Sequence, residues 1–219
     1  IADNRGKRQV IVTTHSSFVL NKLGLDAVLL FTRDHCATLN QLTPDTRDYF
    51  LKLPGHDTLR LILCERAILV EGPSDELIVQ RAFKEVHKAL PLERGVDVIT
   101  VNSLAFKRFL DIALLLKRRV DVVTDNASKL DALKAKYVDY IGKPNVEISF
   151  DPDPAYPTLE PQLLKVNGLK VMNDVLDKTF ADDKKLLDYM EDNKTECALK
   201  FFETAKPWTV PEYIRRAVA

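Results

Sequence analysis

Apolar residues fall along the chain in short runs separated by longer amphipathic stretches, and the alternation is most regular from Ala67 to Val123. Ala67-Ile68-Leu69-Val70 has no polar interruption, the pattern of a strand covered on both faces of a parallel sheet. Glu71-Gly72-Pro73 breaks it, and Ser74 or Asp75 can cap the helix that carries Leu77, Ile78, Val79, Ala82 and Phe83. This helix is expected to run to Leu90, where Pro91 stops it. A β-branched strand over Val96–Val101 follows, then Asn102-Ser103 as the cap of a helix from Leu104 to Leu116. A third buried run, Val120-Asp121-Val122-Val123, ends at Thr124-Asp125-Asn126. Strand, helix, strand, helix, strand predicts right-handed crossovers and a mostly parallel sheet.

On the amino-terminal side, Gln9–Ser16 reads as a buried strand ending in hydroxyls and His15, and a further strand is expected over Ala27–Thr32. Asp34–Gly55, punctuated by Pro44, Pro54 and Gly55, reads as a connector, and Thr58–Cys64 as a short helix leading into the central strands. On the carboxyl side a helix is expected over Lys129–Ile141 and a strand over Val146–Phe150. Pro152, Pro154 and Pro157 exclude regular structure from Asp151 to Pro157, so a rigid loop delivers Thr158-Leu159-Glu160-Pro161. Gln162–Val175 and Asp182–Asn193 are helical in pattern. Lys194-Thr195-Glu196-Cys197 opens a helix over Ala198–Ala205, and Trp208–Ala219 looks like a final packed helix.

At 219 residues the chain can bury one substantial core, and its apolar fraction of 46% is ordinary for a globular protein. Lys plus Arg and Asp plus Glu are 32 each, so any contact with nucleic acid must come from a local basic patch. Cys36, Cys64 and Cys197 lack the spacing of a zinc site or a disulfide framework, which fits a reducing, cytoplasmic compartment. No apolar run approaches a membrane span, so no membrane partner is expected. The opening Ile-Ala-Asp-Asn-Arg, without an initiator Met or a signal pattern, reads as the middle of a longer protein.

The chemistry resides where strands end in acids. Glu71 and Asp125 each close a buried strand, and the carboxyl edge is where open parallel sheets place their ligands. Asp75, one helical turn beyond Glu71, can share that crevice and a hard cation, although an acid in a helix's first turn also simply complements the dipole. Ser103 is both a good cap and a crevice residue. Lys107, in the next helix's first turn, is a candidate phosphate contact, the alternative being a solvated basic face with Arg108, Lys117, Arg118 and Arg119.

VEGPSDE (from Val70), VVTDN (from Val122), TLEP (from Thr158) and NKTECAL (from Asn193) resemble, in order, the OLD family, the overcoming-lysogenisation-defect nucleases with a Toprim domain. The resemblance implies an α/β fold: a Toprim core, Rossmann-like with a mostly parallel central sheet flanked by helices, and a helical C-terminal addition. It divides the chain into an ABC-type ATPase remnant and connector (1–55), the Toprim core (56–155) and an extension completing the site (156–219). It implies a metal-dependent DNA endonuclease. Glu71, Asp75, Asp125 and Glu160 would hold Mg²⁺ or Mn²⁺, with two ions expected, and oxygen-only ligands suit these better than zinc. Glu71 would be catalytic, and Lys194 would stabilise charge on the phosphoryl group, which accounts for a cation where the helix dipole disfavours one. Ser103 and Lys107 would meet the DNA. IVTTHS resembles the end of an ABC-type ATPase core, which makes His15 a γ-phosphate contact. No phosphate-cradling Gly-x-x-x-x-Gly-Lys loop is present, so ATP belongs to the full-length protein with its missing N-terminal ATPase domain, which would also form the homodimer.

One position departs from the family pattern: Ala127 stands where the second acid of Asp-x-Asp is expected. Asp131 compensates, or the site works with fewer ligands, or catalysis is impaired. The last leaves a module for DNA binding or dimerisation. A topoisomerase or primase subunit would need a strand-transfer tyrosine or a nucleotide site that cannot be identified in this chain.

Overall fold

The computed structural model describes residues 10–14, 28–31, 36–52, 60–62, 64–101 and 105–219. In chain order the elements are β1 (Leu29–Phe31), β2 (Cys36–Thr38), α1 (Pro44–Lys52), β3 (Arg66–Val70), α2 (Pro73–His87), β4 (Val96–Thr100), α3 (Phe106–Leu116) and β5 (Arg119–Val123). There follow α4 (Leu130–Lys136), β6 (Val146–Ser149), α5 (Leu159–Leu176), α6 (Asp183–Asp192), α7 (Lys194–Glu203) and α8 (Glu212–Val218).

β4-β3-β5-β6 form one sheet, and every neighbouring pair is parallel. The register sets Val70 beside Thr100 and Val123 beside Ser149, so all four carboxyl ends open on one edge. The chain passes from β3 to β4 on one side and then crosses to β5 on the other. The boundary between β3 and β5 is therefore the switch point at which open α/β sheets form a crevice.

Side chains of β3 alternate between two cores, as a period of two requires. Ala67 and Leu69 face α3 through Phe106, Phe109, Leu110 and Ile112, whereas Ile68 and Val70 face α2 and the C-terminal helices through Phe83, Met172, Phe201 and Ile214. Ile68, Leu69 and Val70 are fully buried, each stabilising the fold by about 1.5–3 kcal/mol. The helices beyond Glu160 pack against one another and share the second core with α2. Arg66 ties the last of them down: its guanidinium pairs with buried Asp121 at 2.7 Å and donates to the Ala217 carbonyl at 2.6 Å.

Several elements differ from their sequence patterns. Val10, Ile11 and Val12 are exposed and carry no strand, because no described strand pairs with them; the expected buried strand over Gln9–Ser16 is corrected to that extent. The expected connector contains β2, paired antiparallel with β1, and the helix α1. α2 stops at His87 because Lys88 turns left-handed with φ +55°. α4 stops at Lys136, where Tyr137 turns into the core, well short of Ile141. α5 is bent at Gly168, whose φ of +71° no helix accommodates. Trp208–Val210 is not helical, and α8 starts only after Pro211. His15 and Ser103 lie outside the described residues.

Candidate functional site

Glu71 leaves the end of β3 beside β5. One of its carboxylate oxygens, Oε1, accepts a short hydrogen bond from the Thr124 hydroxyl and another from the Asp125 N–H at 3.2 Å, so the side chain is held across the switch point. Thr124 has this reach because β5 and β3 run parallel in register, which brings the residues after Leu69 and Val122 together. Asp75 sits in the first turn of α2, where its Oδ2 accepts the Gly72 N–H at 3.0 Å. Its structural role as a cap and its place in the crevice therefore coexist.

Glu160 arrives from far along the chain. It lies in the first turn of α5, delivered by the proline-rich loop, and is 4% exposed. Its Oε1 pairs with Lys194 Nζ at 3.3 Å, and its buried Oε2 has no hydrogen-bond partner. Lys194 opens α7, so Glu160 supplies the countercharge that its unfavourable position on the dipole calls for.

The four acids sense one another. Burial, then the charges of Glu71 and Glu160, push the Asp75 carboxyl up to about 7. Burial, then Asp75, Glu71 and Glu160, push Asp125 up to about 8, against the opposing pull of Lys194. Buried Tyr213, on α8, has its phenol raised well above the ordinary value by burial and then by Asp125, Asp75, Asp151 and Glu160. Acids from β3, α2, β5 and α5 thus meet in one crevice floored by α8.

The donor set of the crevice suits a divalent cation. The donors are all carboxylate oxygens, one of them orphaned and buried, and their mutual repulsion is what a cation relieves. Against that, among the described residues no trio of His, Cys, Asp or Glu side chains is close enough to chelate an ion as it stands. The residues fit a cation in kind and location, and they would have to draw together around it.

Ala127, the departure from Asp-x-Asp, is exposed and left-handed with φ +48°, as is Ser128 at +57°. Asp131 is exposed and is not among the charges acting on Asp75 or Asp125, so nothing here makes it a substitute acid. Lys107 is half-buried on the first turn of α3. Its charge, and that of Glu71, reach Lys136 at the end of α4: burial lowers the Lys136 ammonium from its ordinary value, Glu71 opposes this and Lys107 adds to it. A pair of lysines therefore flanks the Glu71 side of the crevice, with Lys194 on the Glu160 side. Thr124, Lys136 and Tyr213 were not legible as site residues; Thr124 alone had a signal, standing beside an acid at a strand end.

A parallel sheet in this order, with acids closing β3 and β5 at the switch point and helices on both faces, defines a Toprim-like α/β domain with a helical C-terminal part. Residues 62–126 match the family model described as the Overcoming lysogenization defect protein-like, TOPRIM domain. Over those residues the chain is similar to that Toprim domain, and the match takes in both strand-ending acids, Glu71 and Asp125.

The fold is similar to the C-terminal region of the Burkholderia pseudomallei OLD protein, with a TM-score of 0.54 and 20% identity over 71% of this chain and 95% of that one. It is likewise similar to the C-terminal region of the Xanthomonas campestris pv. campestris OLD protein, with a TM-score of 0.51 and 20% identity over 73% and 92%. No curated protein matches the chain in sequence. Among the described residues no helix is long and apolar enough to cross a membrane.

Proposed function

We propose that the chain is the nuclease part of a divalent-metal-dependent DNA endonuclease. The observation that carries this reading is the convergence of Glu71, Asp75, Asp125 and Glu160, from four separate elements, with Asp75 and Asp125 driven above the ordinary carboxylate range by their neighbours. Such shifts gather where a fold has been shaped around chemistry or a cation. Glu71, Asp75, Asp125 and Glu160 would hold Mg²⁺ or Mn²⁺ through carboxylate oxygens. Bound there, the metal would supply an activated water and neutralise charge on the phosphoryl oxygens.

The chain's own residues do the rest. Thr124 and the Asp125 N–H orient Glu71. Lys194, tethered by Glu160 yet nearly half exposed, is placed to meet charge developing on a phosphoryl oxygen. Lys107 and Lys136 would hold flanking backbone phosphates, a local basic patch that a net charge of zero does not preclude. The wider assignment follows from the same reading: an ATPase remnant at 1–55 with His15 facing ATP only in the full-length protein, Ser103 at the DNA, a Toprim core at 56–155, its completing extension at 156–219, a homodimer, and a cytoplasmic location.

A second reading is supported by Ala127 and by the looseness of the acids: a Toprim module that binds DNA or dimerises without cutting. Nicking of supercoiled plasmid decides between them. Cleavage with Mg²⁺ or Mn²⁺ that disappears in Glu71→Gln supports the nuclease. No cleavage by the natural chain, with cleavage by Ala127→Asp, supports the impaired module.

A further inference from the structure

Beneath the acids lies a chain of buried amides that binding and hydrolysis do not require directly. Asn126 follows Asp125 and is 1% exposed. Its Nδ2 donates to the carbonyls of Asp151 at 2.9 Å, Asp153 at 2.9 Å and Tyr156 at 3.1 Å, and its Oδ1 accepts the Ser128 N–H at 2.8 Å. Two hydrogens serve three carbonyls, so one is shared, and reversing the amide would set oxygen against oxygen. The Tyr156 carbonyl also accepts from Gln162 Nε2 at 3.0 Å, and Gln162 Oε1 accepts the Tyr213 hydroxyl at 2.5 Å. Gln162 is fully buried on the same helical turn as Glu160.

The loop needs this help for a reason written in its sequence. Pro152, Pro154 and Pro157 have no N–H, so the loop is short of donors for its own carbonyls, and buried carbonyls must find partners elsewhere. Asn126 donates to three of them, those of Asp151, Asp153 and Tyr156; the Asp153 carbonyl also accepts the Tyr156 N–H at 3.2 Å. The same side chain is one peptide from Asp125, and the loop it grips leads directly into Glu160.

We infer that Asn126 and Gln162 are positioning residues that set the separation of Asp125 from Glu160 and thereby the affinity of the crevice for a divalent cation. This rests on the nuclease reading and deepens it. Asp125 and Glu160 are like charges facing one crevice, and they repel. The clasp limits how far apart they stand before any cation arrives; without it they relax further, and more of the cation's binding free energy goes into drawing them together.

The test compares Asn126→Ala and Gln162→Met with Asn145→Ala. Asn145 is a matched control: its Nδ2 also clasps two carbonyls, Ala113 at 3.1 Å and Arg118 at 2.7 Å, but just before β6, at the opposite edge of the sheet. Free Mn²⁺ is followed by electron paramagnetic resonance as the full chain is titrated, and plasmid nicking is measured against Mn²⁺ concentration. The expected result is a rise of about 10- to 100-fold in the half-saturating Mn²⁺ for Asn126→Ala and Gln162→Met, the rate at saturation unchanged, and no shift for Asn145→Ala even where its melting temperature falls equally. Should Asn126→Ala not fold, Tyr213→Phe, which deletes one oxygen from the same chain, is expected to shift half-saturation in the same direction. Unshifted binding in the clasp variants, or an equal shift in Asn145→Ala, overturns the inference alone. Absence of Mn²⁺ binding in the natural chain overturns the nuclease reading and this inference together.

Discussion

Replacing Asp75 with Asn removes a charge that the fold resists. In the folded protein the carboxyl titrates near 7, against an ordinary value of 3.8, because burial, Glu71 and Glu160 disfavour its ionised form. A raised carboxyl contributes its full stability at low pH, where both states are protonated. That contribution is lost as pH rises through the unfolded value towards the folded one, since the unfolded chain releases its proton first. About three pH units at 1.36 kcal/mol each set an upper bound of about 4 kcal/mol, reached above pH 7. Asp125 titrates in the same field, so the pair shares the effect, and about 2–4 kcal/mol is expected for Asp75→Asn alone. At 219 residues, 1 kcal/mol corresponds to about 2 °C in Tm.

Circular dichroism melts in EDTA from pH 4 to 8 measure this. The variant is expected to match the natural chain at pH 4 and to exceed it by about 4–8 °C at pH 8. With Mn²⁺ the order should reverse, because the natural chain gains ligand-linked stability and the variant gains less. Melting curves that keep a constant separation across the pH range would refute the coupling of Asp75 to its acidic neighbours.

Lys194→Met is expected to lower plasmid nicking by about 10²–10³-fold at saturating metal, and to lower Tm in EDTA because buried Glu160 loses its cation. Ala127→Gly should raise stability by up to about 1 kcal/mol in a chemical-denaturation experiment by relieving a left-handed alanine, and Ala127→Asp should be tolerated there while lowering the Mn²⁺ needed for half-maximal nicking. Arg66→Met should destabilise by about 3–5 kcal/mol in the same experiment, because Asp121 is left buried beside Arg119 alone, at 3.5 Å, and the C-terminal carbonyls lose their donor.

Local signals were strongest where one residue type decides the backbone. The unbroken apolar run into Glu71-Gly72-Pro73 was enough to place β3, the turn and α2, and the same pattern at Asp125 placed β5. Helix ends were less legible: at His87 and Lys136 the stop comes from a left-handed lysine and from a tyrosine turning into the core, neither of which has a marker as plain as proline. The four acids could be named from their blocks of sequence, while their relation to one another could not.

That relation is a tertiary property. The amino-acid sequence by itself determined which segments of the central sheet are buried strands, which acids close them, and that the proline-rich loop cannot form regular structure. Only the folded chain decided that β5 lies beside β3 rather than beyond β4, that Lys194 answers Glu160, that Tyr213 floors the crevice and that Asn126 grips the loop. The physical reason is one of range: propensity and hydrophobic period act over a few residues, whereas desolvation, charge coupling and the pairing of buried polar groups depend on which distant segments the two cores press together.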